Sequence, residues 1–186
     1  MFTKVFPTVY YWKYNIPNFK ELKEYVKSKR DETNDVKQPW TKGCLVDTTF
    51  IDKVDFVDIL KPSLDLFTGE AFREPANMNS GYPWINRYKR GYHQEIHDHK
   101  TDIASVFFLN DGKGFGEFYF YNRYNVTASN RLMKVLKYNE LNEGDKWTPE
   151  YKAGQVLFFP GTMLHGVTPH KSDVVRETLS CNFDIV

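Results

Sequence analysis

Residues 95–100 read EIHDHK: two histidines, His97 and His99, flank Asp98. Three of the chain's histidines, His93, His97 and His99, fall within seven positions. Side chains at i and i+2 of an extended strand share a face. His97 and His99 would then point together, Asp98 away, and Glu95 to the histidine side. Two imidazoles about 6–7 Å apart along a strand can reach one metal ion where the strand ends or curls. A polar strand end carrying exposed histidines accounts for the triplet equally well, so the remaining ligands have to come from elsewhere.

Two later segments offer partners. In AGQVLFFPGTMLHGVTPH, residues 153–170, a glycine turn feeds an apolar strand that breaks at Pro160–Gly161 and is followed by His165. A histidine just beyond a core strand is firmly held, and the apolar setting between Leu164 and Gly166 favours a purpose beyond exposure. In RETLSCNF, Leu179, Cys181 and Phe183 alternate with Thr178, Ser180 and Asn182, so Arg176, Thr178 and Ser180 share the other face. A guanidinium at a strand's mouth, with a hydroxyl two residues on, suits a carboxylate, which it binds through two parallel hydrogen bonds. A surface arginine is the plainer alternative.

These residues need a scaffold. The first 80 residues read as mostly helical. PNFKELKEYVKSKR sets Asn18 three residues before Glu21, as in a capping box, and repeats Phe19, Leu22, Tyr25 and Val26 at helical spacing. VDFVDILKPSLDLFTGEAF places Phe56, Ile59 and Leu60 on one stripe, and Pro62 should kink or restart that helix. The polar DETNDVKQPWTKG between them reads as loop. From Trp84 the pattern becomes short extended runs separated by turns: WINRYKRG, DIASVFFLND, GEFYFYN, KVLKYNE, GQVLFFPG and RETLSCNFDI. The expectation is a mainly β fold with N-terminal helices: one domain over 1–186, with 1–80 a mostly helical support and 81–186 a β-sandwich or jelly roll carrying the helices on one sheet.

Composition sets limits. Lys plus Arg number 25 and Asp plus Glu 24, a net charge of +1, so nothing electrostatic points to nucleic acid or an anionic membrane. Aromatic residues make up 17% of the chain and gather in runs such as FYFYNRYN and VLFFP, as core strands would. There is no apolar window of transmembrane length and no signal-peptide pattern at the start. Cys44 and Cys181 lie far apart and form no CxxC, which fits free thiols in a reducing cytoplasm.

Taken together, His97-x-His99, the G-x-x-x-x-F-P strand, His165 and Arg176 resemble the double-stranded β-helix (jelly-roll, cupin-like) oxygenases that use iron(II) and 2-oxoglutarate. The similarity is greatest to the prolyl-hydroxylase-like branch, and within it to a group of bacterial and phage proteins with a His-x-His motif. It covers nearly the whole chain, through FPTVYYW…IPNFKELKEYV, WINRYKRGYHQEIHDH…ASVFFLNDGKGFGEFYF and GQVLFFPGTMLHGVTPH…RETLSCNF. The resemblance implies a metal held by His97, His99 and His165. His99 stands where the wider superfamily has a carboxylate, and Glu95 or Asp98 remains an alternative donor. It also implies 2-oxoglutarate held by Arg176 and Thr178, with Tyr88 and Asn86 in the same pocket. Phe107 and Phe108 stand where relatives often carry a second tyrosine.

The implied chemistry is oxidative decarboxylation of 2-oxoglutarate by dioxygen to succinate and carbon dioxide, coupled to hydroxylation of a substrate, with no catalytic residue beyond the metal ligands. The expected substrate is a peptide, a prolyl residue included, or a small polar molecule. The polar insert over 122–150 would shape the mouth of the site. Neither nucleic acid nor membrane is an expected partner; assembly, a homodimer included, is open. A cupin-type metal-binding protein with non-oxidative or no catalytic activity is the competing reading, and fold alone secures no activity.

Overall fold

The computed structural model describes residues 10–32, 47–51, 56–122 and 146–186. Two antiparallel sheets face each other. The larger has the order β1 (Trp12–Asn15), β9 (Gln155–Pro160), β6 (Ile103–Phe108), β11 (Arg176–Ile185), β4 (Trp84–Tyr88), β2 (Asp47–Phe50), and β3 (Met78–Ser80) also pairs with β11. The smaller runs β5 (Gln94–His97), β10 (His165–Val167), β7 (Phe118–Tyr121), β8 (Lys146–Trp147). Helices α1 (Phe19–Glu32) and α2 (Phe56–Ala71) cover the outer face of the larger sheet. The expected mainly β jelly roll with helices on one sheet is therefore the observed architecture.

The strand alternation builds two cores. In β6, Ile103 and Phe107 turn to the helices while Ala104, Val106 and Phe108 turn to the opposite sheet. In β9, Val156 and Phe158 face the helices and Leu157 and Phe159 face inward. Both faces are buried, which is why these strands read as continuous apolar runs. Leu22 and Val26 of α1 and Leu60 and Phe67 of α2 close the outer core. Phe67 stacks on Phe158 with ring centroids 4.5 Å apart and planes 10° apart.

The N-terminal stretch contributes more than helices: β1 extends the larger sheet beside β9, and β2 extends it beside β4. Two local expectations are corrected. Asn18 does precede α1, but its side-chain amide donates to the Ile59 carbonyl of α2 (2.9 Å) instead of capping, so it ties the helices together. The helix α2 continues through Pro62, which falls inside its second turn, without a restart. Cys44, KVLKYNE and most of the 122–150 insert lie outside the described residues. No helix among the described residues is long and apolar enough to cross a membrane.

Candidate active site

The two sheets bring together at one end what the sequence holds far apart. His97 at the end of β5 is the ladder partner of His165 at the start of β10, and their rings lie 4.3 Å apart. His99 lies two residues beyond the end of β5, and its backbone N–H donates to the Gly161 carbonyl (2.9 Å), which fixes the chain there. Its ring centroid is 5.2 Å from that of His97 and 5.1 Å from that of His165. The three imidazoles each offer a nitrogen, and all three nitrogens lie within 4.8 Å of one another. Among the described residues this group includes neither Glu95 nor Asp98.

Hydrogen bonds orient two of the rings. His97 Nδ1–H donates to the Glu95 carbonyl and His165 Nδ1–H to the Met163 carbonyl, each at 2.8 Å. A carbonyl can only accept, so both rings carry their proton on Nδ1 and present the bare Nε2, the form that binds a metal. Burial reinforces this. It lowers the pKa of His97 and holds that of buried His165 well below the usual imidazole value. It pushes His99 down to about 4, with the nearby His97 adding to the shift. All three are neutral at physiological pH, and three converging neutral imidazoles suit a divalent first-row metal.

Glycines allow the close approaches. A side chain on Gly166 would meet the Tyr119 hydroxyl at 2.7 Å and the Gln94 carbonyl oxygen at 3.0 Å. One at Gly161 would overlap the Thr101 carbonyl.

The cationic side of the cavity lies on β4 and β11. Arg176 pairs across the ladder with Tyr88, and Thr178 with Asn86 on one side and Phe108 on the other. Directly opposed residues share a face, so these side chains all turn into the space between the sheets. Arg176 is 2% exposed, its guanidinium carbon sits 4.8 Å from the Tyr88 ring centre and 5.8 Å from that of Phe108. Its two terminal nitrogens are buried with no hydrogen-bond partner among the described residues. A buried cation left in this state is costly, and a carboxylate placed in the cavity would relieve it. Tyr88, Asn86, Thr178, Arg176 and the three histidines line one cavity.

Several site residues follow no strand-parity rule. On a regular strand Glu95 would share the face of His97. Instead β10 pairs His165 with His97 and then Val167 with Gln94, so β5 carries one extra residue, a β-bulge opposite Gly166. The bulge turns Gln94 into the cavity beside His97, and it, not Glu95, lines the space. Gln94 was not among the residues the sequence pointed to; a glycine inside a strand, as at Gly166, is the signal that marks such a bulge. Trp84, also unanticipated, lines the cavity with its ring 5.8 Å from that of His99. Asn86 is tied into the sheet: Thr48 Oγ1 donates to its Oδ1 (3.1 Å) and its Nδ2 donates to Ser180 Oγ (3.5 Å). Phe107 faces the helices and Phe108 the cavity side, so the position without a hydroxyl near Arg176 is that of Phe108.

A family model described as "Putative 2OG-Fe(II) oxygenase" matches residues 82–183, more than half of the chain and the whole span from the start of β4 to the core of β11. The chain belongs to the 2OG-Fe(II) oxygenase family. Its enzymatic class is that of the family, a dioxygenase, and its cofactor and co-substrates are iron(II), 2-oxoglutarate and dioxygen. The imidazole triad and the buried guanidinium of Arg176, without a hydrogen-bond partner for its terminal nitrogens among the described residues, fit these groups in chemistry.

Solved structures share the fold. A prolyl-4-hydroxylase from Pseudomonas putida superposes with a TM-score of 0.62 at 14% identity, over 95% of this chain and 93% of that one. The viral collagen prolyl hydroxylase of Paramecium Bursaria Chlorella virus-1, solved as its 2OG complex, gives 0.59 at 14% identity, over 94% and 95%. HygX from Streptomyces hygroscopicus, solved with nickel and 2-oxoglutarate bound, gives 0.62 at 12% identity, over 95% and 83%. No curated protein matches the sequence.

Proposed function

We propose that this member of the family is a hydroxylase whose metal is held by His97, His99 and His165. In this reading the distal carboxylate of 2-oxoglutarate lies against Arg176 and Thr178, with Tyr88 and Asn86 shaping the same pocket. The observation that carries it is the buried guanidinium of Arg176, whose terminal nitrogens have no hydrogen-bond partner among the described residues and which lines the same cavity as the three histidines.

When bound, the iron activates dioxygen and drives the decarboxylation of 2-oxoglutarate and the oxidation of the substrate. The chain's own residues do the rest. The carbonyls of Glu95 and Met163 hold two imidazoles in the metal-binding tautomer. Arg176 fixes the co-substrate by a pair of charge-assisted hydrogen bonds. The aromatic wall of Phe118 and Phe159 beside His165 excludes water from the reacting side. No side chain has to act as a general base.

The substrate is a peptide, with a prolyl residue as the leading candidate, or a small polar molecule. Support comes from the fold shared with two prolyl hydroxylases and with HygX, itself solved with hygromycin B in another complex. The deciding experiment incubates the iron(II)-loaded protein with 2-oxoglutarate under air and measures succinate, first alone and then with proline-containing peptides and polar small molecules. Succinate formation that requires iron, rises with one substrate class and vanishes in Arg176→Ala supports the reading. Binding of metal and 2-oxoglutarate with no succinate under any condition would leave a binding protein of cupin type.

A further inference from the structure

Gln94 occupies the gap between the two halves of the site. The Tyr88 hydroxyl donates to Gln94 Oε1 at 2.8 Å, and Gln94 Nε2 lies 3.4 Å from His97 Nε2. The orientation of this amide follows from its neighbours. His97 carries its proton on Nδ1, where it donates to the Glu95 carbonyl, so its Nε2 can only accept. The Gln94 NH2 must therefore be the end that faces His97, and its oxygen the end that takes the Tyr88 proton. One side chain thus connects the tyrosine packed against Arg176 to the metal-facing nitrogen of His97.

This placement depends on the bulge. Gln94 and His97 are three residues apart and on a regular strand would face opposite ways. The extra residue in β5 opposite Gly166 restores them to one side, which is a recurrent use of bulges beside active sites.

We propose that Gln94 is a positioning residue that couples the metal half of the site to the co-substrate half, with its amide N–H held on His97 in the metal-free state and released to the oxyanion of 2-oxoglutarate in the loaded state. A metal on His97 Nε2 consumes the lone pair that the amide faces, so the N–H loses its acceptor. The hydroxyl of Tyr88 still anchors the other end of the amide, which keeps the freed donor inside the cavity. The acceptor offered there is an anionic oxygen of the co-substrate. Gln94 thus opposes metal binding slightly and favours 2-oxoglutarate binding, a role that rests on the site assignment proposed above.

The test uses titration calorimetry on the full chain, first manganese(II) alone and then 2-oxoglutarate into the manganese-loaded protein. Gln94→Leu puts an apolar side chain, one bond shorter, at this position and removes both hydrogen-bonding ends. It should leave manganese affinity equal to wild type or up to about threefold tighter, and weaken 2-oxoglutarate roughly tenfold, the loss of one hydrogen bond to a charged acceptor. Gln94→Glu should separate the two affinities further, with tighter metal and weaker 2-oxoglutarate, because a carboxylate beside His97 attracts the cation and repels the anion. Tyr88→Phe should weaken 2-oxoglutarate as well, and the double variant Tyr88→Phe/Gln94→Leu should cost less than the product of the single effects. A purely structural Gln94 would instead weaken both ligands together. That result, additive single effects, or unchanged 2-oxoglutarate affinity in Gln94→Leu would each overturn the proposal. Failure of the wild type to bind manganese would overturn the site assignment itself, which the first titration reads separately.

Discussion

Arg176 and Tyr88 are direct ladder partners on β11 and β4, and the guanidinium carbon of Arg176 lies 4.8 Å from the centre of the tyrosine ring. The ring satisfies the flat face of the guanidinium but none of its N–H groups. The terminal nitrogens stay buried without hydrogen-bond partners among the described residues, ready for an anion. This contact and burial hold the guanidinium in place before the ligand arrives, so little side-chain entropy is left to lose on binding.

Arg176→Ala should weaken 2-oxoglutarate binding to the metal-loaded protein by about 2–4 kcal/mol, the cost of leaving a desolvated carboxylate unpaired. Metal affinity should be unchanged. Arg176→Lys should recover only part of the loss, because an ammonium cannot form the two parallel bonds. Thr178→Val should cost about 1 kcal/mol. Calorimetry at fixed pH and metal decides; wild-type affinity in Arg176→Ala would remove the anchor from the proposed site.

His97→Ala and His165→Ala should each abolish tight iron(II) binding, since their rings are 4.3 Å apart and both present Nε2. His99→Asp should retain the metal, a carboxylate being an acceptable donor for it. Glu95→Gln should change little, as its carboxylate is not among the converging groups. Metal content after dialysis is the measurement, and a Glu95→Gln protein that loses iron would move the third ligand to Glu95.

The metal-free protein should lose stability as pH falls from about 6.5 towards 4. Unfolded histidines have a pKa of about 6.5, whereas burial lowers His97 and His165, and holds His99 at about 4. Below 6.5 the unfolded chain therefore takes up protons that the folded site refuses, so acid favours unfolding; above that range the groups contribute no pH dependence. Urea melts with chelator at pH 7.5, 6 and 5 should show a steeper decline for wild type than for His99→Asn. Equal slopes would show that His99 is not held neutral.

Phe158→Ala should destabilise the fold by about 3–5 kcal/mol. The side chain is fully buried, stacks on Phe67 of α2 and meets Phe107 edge-on, so its loss opens a cavity between the sheet and the helices. Urea denaturation gives the value, and a cost under 1 kcal/mol would mean that the helices can collapse into the gap.

Local pattern alone sets the composition of each strand face and most of the chemistry placed on it. Period-two alternation in RETLSCNF sets Arg176, Thr178 and Ser180 on one side, and the register with Tyr88, Asn86 and Trp84 keeps them there. Apolar runs such as VLFF belong to strands buried on both faces, as Val156 to Phe159 are. The pair His97 and His99 was legible because two imidazoles lay within one short segment. Whatever depends on how one strand meets another is settled only by packing. The nearness of His165 to His97 is a ladder contact between residues separated by most of the jelly roll. The exchange of Glu95 for Gln94 as the cavity-lining residue comes from one extra residue in β5 opposite Gly166, and a single-residue slip reverses the facing of a strand. Asn18 gave up a helix cap for the Ile59 carbonyl because α2 packs beside it, and Asn86 accepts from Thr48 because β2 lies on one side of it and donates to Ser180 because β11 lies on the other. Local patterns fix what a residue can offer; the partner that takes the offer is chosen by packing, where a buried polar group must bond to whichever neighbour the fold brings within reach.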